Sequence, residues 1–599
     1  MAKRNVRNVK IGPAFYDFMS QEKTTKRGNY GNSFVMSGIV HLFPLFLLIL
    51  LFLILATRLF YVQVLRAGYY KDLSDSNRTR TQVIEAPRGI IYDRNGKPLV
   101  ANSATFSVKK NGKEQEINQE EALKIISQNG KVDNTIRRDY LYKSAFAHVL
   151  GYVGTLSEDE SHMPEFKDYS INDNVGKIGL ENEYESLLHG VNGKKLYEVD
   201  AQGNYIRELG TNEPIPGQNL KTTLDLNLQL AAKEAMKNIN KGAVVVSNVN
   251  DGGIMALYSK PSFDPNLFTH GGSKTYKPDG DYTDPVKIVT DSDKRPLLDR
   301  AIGGVFPPGS TFKLVAATAA LEKGSIKKDT IIEDTGILKV GNFSFGNWYF
   351  LQYGRKEGDL DIVGAIKRSN DIFFYKSAES TGVDNISAWA KKFGMGERLG
   401  IDLPGELSGT VPTVEWKEKT IGEQWYLGDT YNYGIGQGYL LATPLQVNMM
   451  TDVFANRGTL YKPHLLEGQS KVLKKDFIKK ENLDLVTQGM EEACETGGVA
   501  WPLFDFKVKN PKLKIDNTDY FKDASAGADM VRVKMGCKTG TAETGDKDTN
   551  PHAWITVFAP FSKPEIAVTV LVENGGEGSS IAGPVARDVL KAYFEKKNN

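Results

Sequence analysis

From Phe34 to Ala56 the chain runs for 23 residues without an Asp, Glu, Lys or Arg. As a helix at ~1.5 Å per residue that run is about 35 Å long, enough to cross a hydrocarbon core of ~30 Å. His41 and Pro44 are its only awkward members, and Leu45 to Leu55 is apolar without a break. A cleaved signal peptide fits poorly, because the run is too long and no small-residue cleavage site is followed by a polar mature start. A buried core helix of this length is also a poor fit. The residues ahead of the run are basic (Lys3, Arg4, Arg7, Lys10, Lys23, Lys26, Arg27) and outweigh Arg58, Arg66 and Lys71 behind it. That bias places the N-terminus in the cytoplasm and everything after Arg58 on the far side of the membrane. Residues 1–33 then read as a cytoplasmic tail and 34–57 as a single transmembrane helix.

With 599 residues the chain exceeds one ordinary domain. A net charge of +2 supplies no field that would argue for nucleic acid. The seven histidines form no His-x-x-x-His pair, and the two cysteines, Cys494 and Cys537, are not spaced as Cys-x-x-Cys. Local spacing therefore suggests neither a metal nor a cofactor. Each cysteine reads as a small buried residue, with a disulfide between them as the alternative in an oxidising compartment.

Residues 58–215 are mixed in pattern. Val83 to Leu99 reads as strand, Asn95-Gly96 turn, strand. Glu120 to Ile126 reads as a short helix, Gly179 to Gly190 as a helix closed by glycine, and Gly193–Val199 with Gly203–Leu209 as a hairpin. No nucleophile there has a base nearby, so this stretch reads as a pedestal that lifts the next domain off the membrane. Residues 216–599 form that domain. Leu220 to Leu224 is a strand, Asp225 caps a helix to Ile239, and Lys241–Asn248 pairs with Gly253–Tyr258. Residues 265–294 read as a polar surface loop. Val533–Thr544, His552–Ala559 and Glu565–Val572 read as three adjacent antiparallel strands, followed by a helix from Ala582 to Lys597. The fold class is therefore α+β: an antiparallel sheet built from both ends of the domain, flanked by helices, with a helical lobe between.

Three motifs fall within this plan. Phe306-Pro307-Pro308-Gly309-Ser310-Thr311-Phe312-Lys313 leads into an Ala- and Leu-rich helix ending at Gly324, so Ser310 sits at or beside the helix start, where backbone N–H groups are free. A hydroxyl three residues before an amine is half of a nucleophilic site, provided burial lowers the pKa of the amine. The pattern alone is weak: Ser-x-x-Lys also begins at Ser20, Ser107 and Ser325. Ser369-Asn370-Asp371 adds a second hydroxyl after a helical stretch, although a helix cap would look the same. Lys538-Thr539-Gly540-Thr541 lies on the presumed edge strand, where Gly540 permits close backbone approach and the lysine and threonines can hold an anion.

In this order the set Ser-x-x-Lys, Ser-x-Asp, Lys-Thr-Gly resembles the penicillin-binding proteins and their serine β-lactamase relatives. Arg88 to Gly96, Arg300-Ala301-Ile302, Gly428-Asp429-Thr430 through Gly438, Thr443-Pro444-Leu445-Gln446 and His552-Ala553-Trp554 extend the likeness to the class B enzymes. Asp371, together with Trp425-Tyr426-Leu427-Gly428-Asp429, resembles the elongation type, penicillin-binding protein 2, more than the division type. The resemblance implies a D,D-transpeptidase that cross-links peptidoglycan stem peptides and is acylated by β-lactams. Ser310 would be the nucleophile and a neutral Lys313 its base. Ser369 would pass a proton to the leaving D-Ala, with Asp371 and Lys538 holding that network. Thr539, Gly540 and Thr541 would bind substrate, the N–H groups of Ser310 and Thr541 forming an oxyanion hole. It further implies a membrane glycosyltransferase of the elongation machinery as partner. A carboxypeptidase or β-lactamase using the same residues, and a non-catalytic β-lactam sensor, are the rival readings. The polar stretch 514–532 has no assigned role.

Overall fold

The computed structural model describes residues 39–110, 113–117, 119–128, 130, 132–167, 169–170, 173–200, 202–270, 276–510, 512–522, 529–546 and 548–596. The basic tail and the first residues of the apolar run lie outside them. The chain divides into two units, one of residues up to Thr81 with Leu196–Leu209, the other of Gln82–Lys195 with everything from Gly210.

In the first unit, helix α1 (Ile39–Phe60) continues through a π-helical turn at Tyr61–Leu65. Leu42–Leu65 is long and apolar enough to span a membrane, and none of it is buried by protein. Arg58 and Arg66 both sit over the Tyr61 ring, 5.3 and 5.9 Å from its centroid, an amphipathic grouping typical of a membrane–water boundary.

The second unit holds the rest of the described chain. The strand–turn–strand expected from Val83 to Leu99 is much shorter. Only Ile91–Tyr92 and Pro98–Leu99 close around the Asn95-Gly96 turn, with Asp93 N–H donating to the Lys97 carbonyl. The Asp93 carboxylate takes the Asn95 and Lys97 amides, and Ile91–Tyr92 pairs parallel with Leu220–Lys221 instead. A tight side-chain turn and a non-local partner thus override local hairpin propensity. The stretch 265–294 is likewise more than a surface loop. Phe263, Tyr282 and Ile288 form a small buried cluster there, with Tyr282 donating to Asp291.

The transpeptidase-like part begins with α2 (Leu226–Ala235), whose Asp225 cap accepts the Asn227 and Leu228 amides. Strands β1 (Gly242–Asn248) and β2 (Ile254–Lys260) follow, then α3 (Lys313–Lys323), α4 (Ile362–Arg368), α5 (Asp371–Thr381), α6 (Pro444–Ala455) and α7 (Lys480–Ala493). The chain closes with β3 (Gly536–Ala542), β4 (His552–Ala559), β5 (Ile566–Val572) and α8 (Gly578–Lys596). The sheet order is β2-β1-β5-β4-β3, antiparallel throughout, with β3 at one edge. Alternation sorts the side chains: Ala243 and Val245 face the core shared with α3 and α6, whereas Val244 and Val246 face that of α2 and α8. Both faces are covered, which is why these strands read as continuous apolar runs.

Two further features differ from the sequence reading. The expected strand from Val533 is divided: Met530–Val533 belongs to a small three-stranded sheet with Lys507–Lys509 and Tyr520–Lys522, and β3 starts only at Gly536. Cys494 and Cys537 are joined as a disulfide that ties the end of α7 to β3.

Candidate active site

Pro307 and Pro308 lead to Gly309, Pro308 already in the right-handed helical region (φ -74°, ψ -11°), and a 3₁₀ turn (Gly309–Phe312) carries Ser310 into α3. Trp554 Nε1 donates to the Pro307 carbonyl (3.0 Å) and Thr311 Oγ1 to that of Pro308 (2.7 Å), so β4 and the turn itself fix its shape. The turn packs on β3 with no room to spare. A Cβ at Gly540 would lie 3.1 Å from the Pro308 carbonyl oxygen, and one at Gly309, whose φ is +54°, 3.0 Å from that of Thr541. Gly309 N–H donates to Gly436 in the Ile435–Gly438 segment.

Ser369 ends α4 in the left-handed region (φ 55°), and Asn370 caps α5 by accepting the Phe373 amide. This sharp link aims Ser369 Oγ and the Asp371 carboxylate at the base of α3. There, Lys313 Nζ donates to Asp371 Oδ1 (2.6 Å), to the Ser369 carbonyl (2.7 Å) and to Ser369 Oγ (3.4 Å). Lys538 Nζ donates to the same Oγ (2.7 Å) and to the Thr539 carbonyl (3.0 Å). Ser310 Oγ itself makes no hydrogen bond among the described residues, and Lys313 is turned towards Asp371 rather than towards it. A cleft of about 1080 Å³ opens over these groups, lined by Ser310, Ser369, Asp371, Thr539, Gly540 and Thr541. All eight sequence-predicted residues therefore lie at or directly beneath one cleft.

The cluster is unbalanced in charge. Both amines are fully buried, and among the described residues the one carboxylate bonded to either is Asp371, through Lys313. Burial pulls the Lys313 ammonium below its ordinary value, with Asp371 and Glu357 opposing. Lys538 falls well below, because burial is reinforced by the Lys313 charge and only weakly opposed by Asp371. Two amines that share one buried counter-ion favour holding one proton between them. Asp371, in contact with Lys313, opposes the loss of charge there, whereas at Lys538 the Lys313 charge adds to the effect of burial.

The sequence reading missed the stretch that walls this cleft. Phe345, Trp348 and Leu351 line it, and the Trp348 amide donates to Asp371 Oδ2 (2.8 Å). Six aromatic residues between positions 343 and 353 were the available signal.

Comparisons agree with this geometry. Residues 242–591 match the penicillin binding protein transpeptidase domain, and residues 83–131 and 128–222 match the penicillin-binding protein dimerisation domain. The peptidoglycan D,D-transpeptidase MrdA of Haemophilus influenzae is 30% identical over 599 residues, covering 91% of this chain and 90% of that protein. The complex between penicillin-binding protein PBP2 and MreC from Helicobacter pylori contains a chain of TM-score 0.70 and 28% identity, covering 87% of this chain and 99% of the other. A chain from a peptidoglycan synthase complex, studied for its coordination of polymerization and crosslinking, has TM-score 0.71 and 28% identity, covering 94% and 99%. The chain belongs to the penicillin-binding protein transpeptidase family.

Proposed function

We propose that this protein is a peptidoglycan D,D-transpeptidase acting through a Ser310 acyl-enzyme in cell-wall elongation. The observation that supports the residue assignment is the meeting of Lys313 Nζ, Ser369 Oγ and Lys538 Nζ in one buried relay beside Ser310. In the resting site one proton rests on Lys313. When the terminal carboxylate of a donor stem peptide reaches Thr539, Thr541 and Lys538, the added negative charge draws that proton through Ser369 Oγ to Lys538. Lys313 is then neutral and accepts the Ser310 proton as Oγ attacks the D-Ala-D-Ala carbonyl. The N–H groups of Ser310 and Thr541 hold the oxyanion, and Gly540 keeps the edge strand close to the turn. The C–N bond breaks as Lys313 returns the Ser310 proton through Ser369 Oγ to the departing D-Ala. An acceptor amine then attacks the ester, gives one proton to Lys313, and displaces Ser310, whose Oγ takes that proton back as the cross-link forms. β-Lactams enter the same first step and stop at the ester. Ser310 and Lys313 need not touch in the free enzyme, since catalytic hydrogen bonds often tighten only with substrate.

The division into a tail (1–33), membrane helix (34–57), pedestal (58–215) and transpeptidase domain (216–599) belongs to this reading. So do a cytoplasmic N-terminus, a catalytic domain beyond the membrane, and an elongation-type membrane glycosyltransferase as partner. The synthase-complex relative supports such a partner. Mass spectrometry of the intact protein after penicillin, with peptide mapping, tests the chemistry. One adduct on the peptide that carries Ser310 is expected, and an adduct elsewhere, or none, would refute it.

A further inference from the structure

Between Asp334 and Glu357 the chain leaves the helical lobe, forms a hairpin (Ile337–Val340 with Phe343–Gly346) and a short helix (Trp348–Tyr353), and returns. Its two ends are tied together, the Glu357 amide donating to Asp334 Oδ2 (2.9 Å). Asn347 lies fully buried at the corner between hairpin and helix. Its Nδ2 donates to Asp334 Oδ2 (3.0 Å), and its Oδ1 accepts from the Asp371 amide (3.1 Å). The next peptide N–H, that of Trp348, donates to Asp371 Oδ2, while Oδ1 of the same carboxylate holds Lys313. Asp371 is thus gripped from one side by the amine and from the other by the Asn347 corner. Fastening the excursion would need only the Asp334 bond. The second bond, reaching across to the residue that holds the catalytic amine, has no part in closing the loop.

We propose that Asn347 is a positioning residue that aligns the Asp371 carboxylate and so governs how strongly the pair of buried amines retains its proton. This rests on the reading of Ser310 as the acylated nucleophile. The other groups facing this point are Lys538 from β3, Tyr375 one turn along α5 with Glu543 beyond it, and Glu357. Glu357 is already occupied by Arg368 and Asn370. Phe345, Trp348 and Leu351 of the same excursion face the cleft, so the wall that meets substrate is continuous with the group that orients the carboxylate.

The test is the pH dependence of acylation by a fluorescent penicillin, measured on the full chain in detergent for wild type, Asn347→Ala, Asp371→Asn and the double variant. An opposite charge in contact moves a pKa by about 1–3 units, so partial loss of its alignment should move the acid limb of Asn347→Ala about one unit lower. In the Asp371→Asn background the same substitution should move it no further, because the two act in series. Asn347→Ser gives the same readout should the alanine variant not fold. A rate lowered equally at every pH, or equal shifts in both backgrounds, would reduce Asn347 to a loop fastener and overturn the proposal. Absence of acylation in the wild type would instead refute the reading of the site.

Discussion

Two clusters of buried charge sit in the same unit and do opposite things. In the region that matches the dimerisation domain, Arg88 and Arg138 meet Glu181 and Glu185, two cations on two anions, all but sealed from water. Arg88 Nε donates to Glu181 Oε2 (2.6 Å), and Arg138 Nε to Glu181 Oε1 (2.8 Å). Burial alone would lower the Arg88 pKa, yet Glu181 and Glu185 carry it above the ordinary value. Burial would likewise raise Glu181, but Arg138 and Arg88 hold it below. Arg88 and Glu181 are thus each held in the charged form by their neighbours. Beneath Ser310 the count is two amines to one bonded carboxylate, and burial lowers the pKa of both amines. Burial is common to both; balance and ionisability are not. Guanidinium keeps its proton under any such pressure, whereas a buried ammonium can release it. The difference explains why one cluster is mortar and the other can do chemistry.

Exchanging the cations should break the contrast most sharply. Lys313→Arg keeps a charge for Asp371 but cannot become neutral, and loss of a positioned base costs about 10²–10⁴-fold in acylation. Labelling by fluorescent penicillin over time would read this, and a rate near wild type would show that no free base is needed there. Arg88→Ala should instead leave the acylation pH profile in place while removing about 3–5 kcal/mol of stability, because Glu181 keeps a buried charge with one partner fewer. Chemical denaturation followed beside acylation separates the two effects. Arg88→Lys, which restores the charge but not the forked geometry, should fall between Arg88→Ala and wild type on the same assay.

The smallest effect expected concerns a buried group outside both clusters. Burial pushes the Asp452 carboxyl up to about 8, with its bond from Ser247 opposing and Asp251 adding to the rise. The folded state therefore holds a proton that the unfolded chain has released above about pH 4. That contribution is complete below the unfolded value and fades as pH rises towards 8. Asp452→Asn should flatten the fall in Tm across that window, and an unchanged slope would show that Asp452 is ionised in the fold.

Much of this was legible from residues alone, and the exceptions share a cause. Four of the five sheet strands are largely apolar runs, the edge strand β3 being the exception, and Asp225 and Gly324 mark helix ends by local chemistry that the structure repeats. The three motifs carry their residue types in a fixed order, so their meeting could be expected before any coordinates. Asn347 could not be found this way. It is an ordinary asparagine in an aromatic stretch, and its partners, Asp334 and Asp371, lie 13 and 24 positions away. The hairpin around Asn95-Gly96 was overextended for the matching reason, since Ile91–Tyr92 found a partner at Leu220–Lys221. Likewise, the pairing of Cys494 with Cys537 depends on where α7 ends against β3.

The central claim is that an unbalanced pair of buried amines supplies the base for Ser310. Rapid-mixing measurement of wild-type acylation by a fluorescent penicillin across pH, with the adduct mapped, addresses it most directly. The rate should climb through a single acid limb well below the ordinary lysine value of ~10.4 and level off before it. A rate that keeps rising up to that value would mean that both amines stay charged in the fold, and would contradict the account.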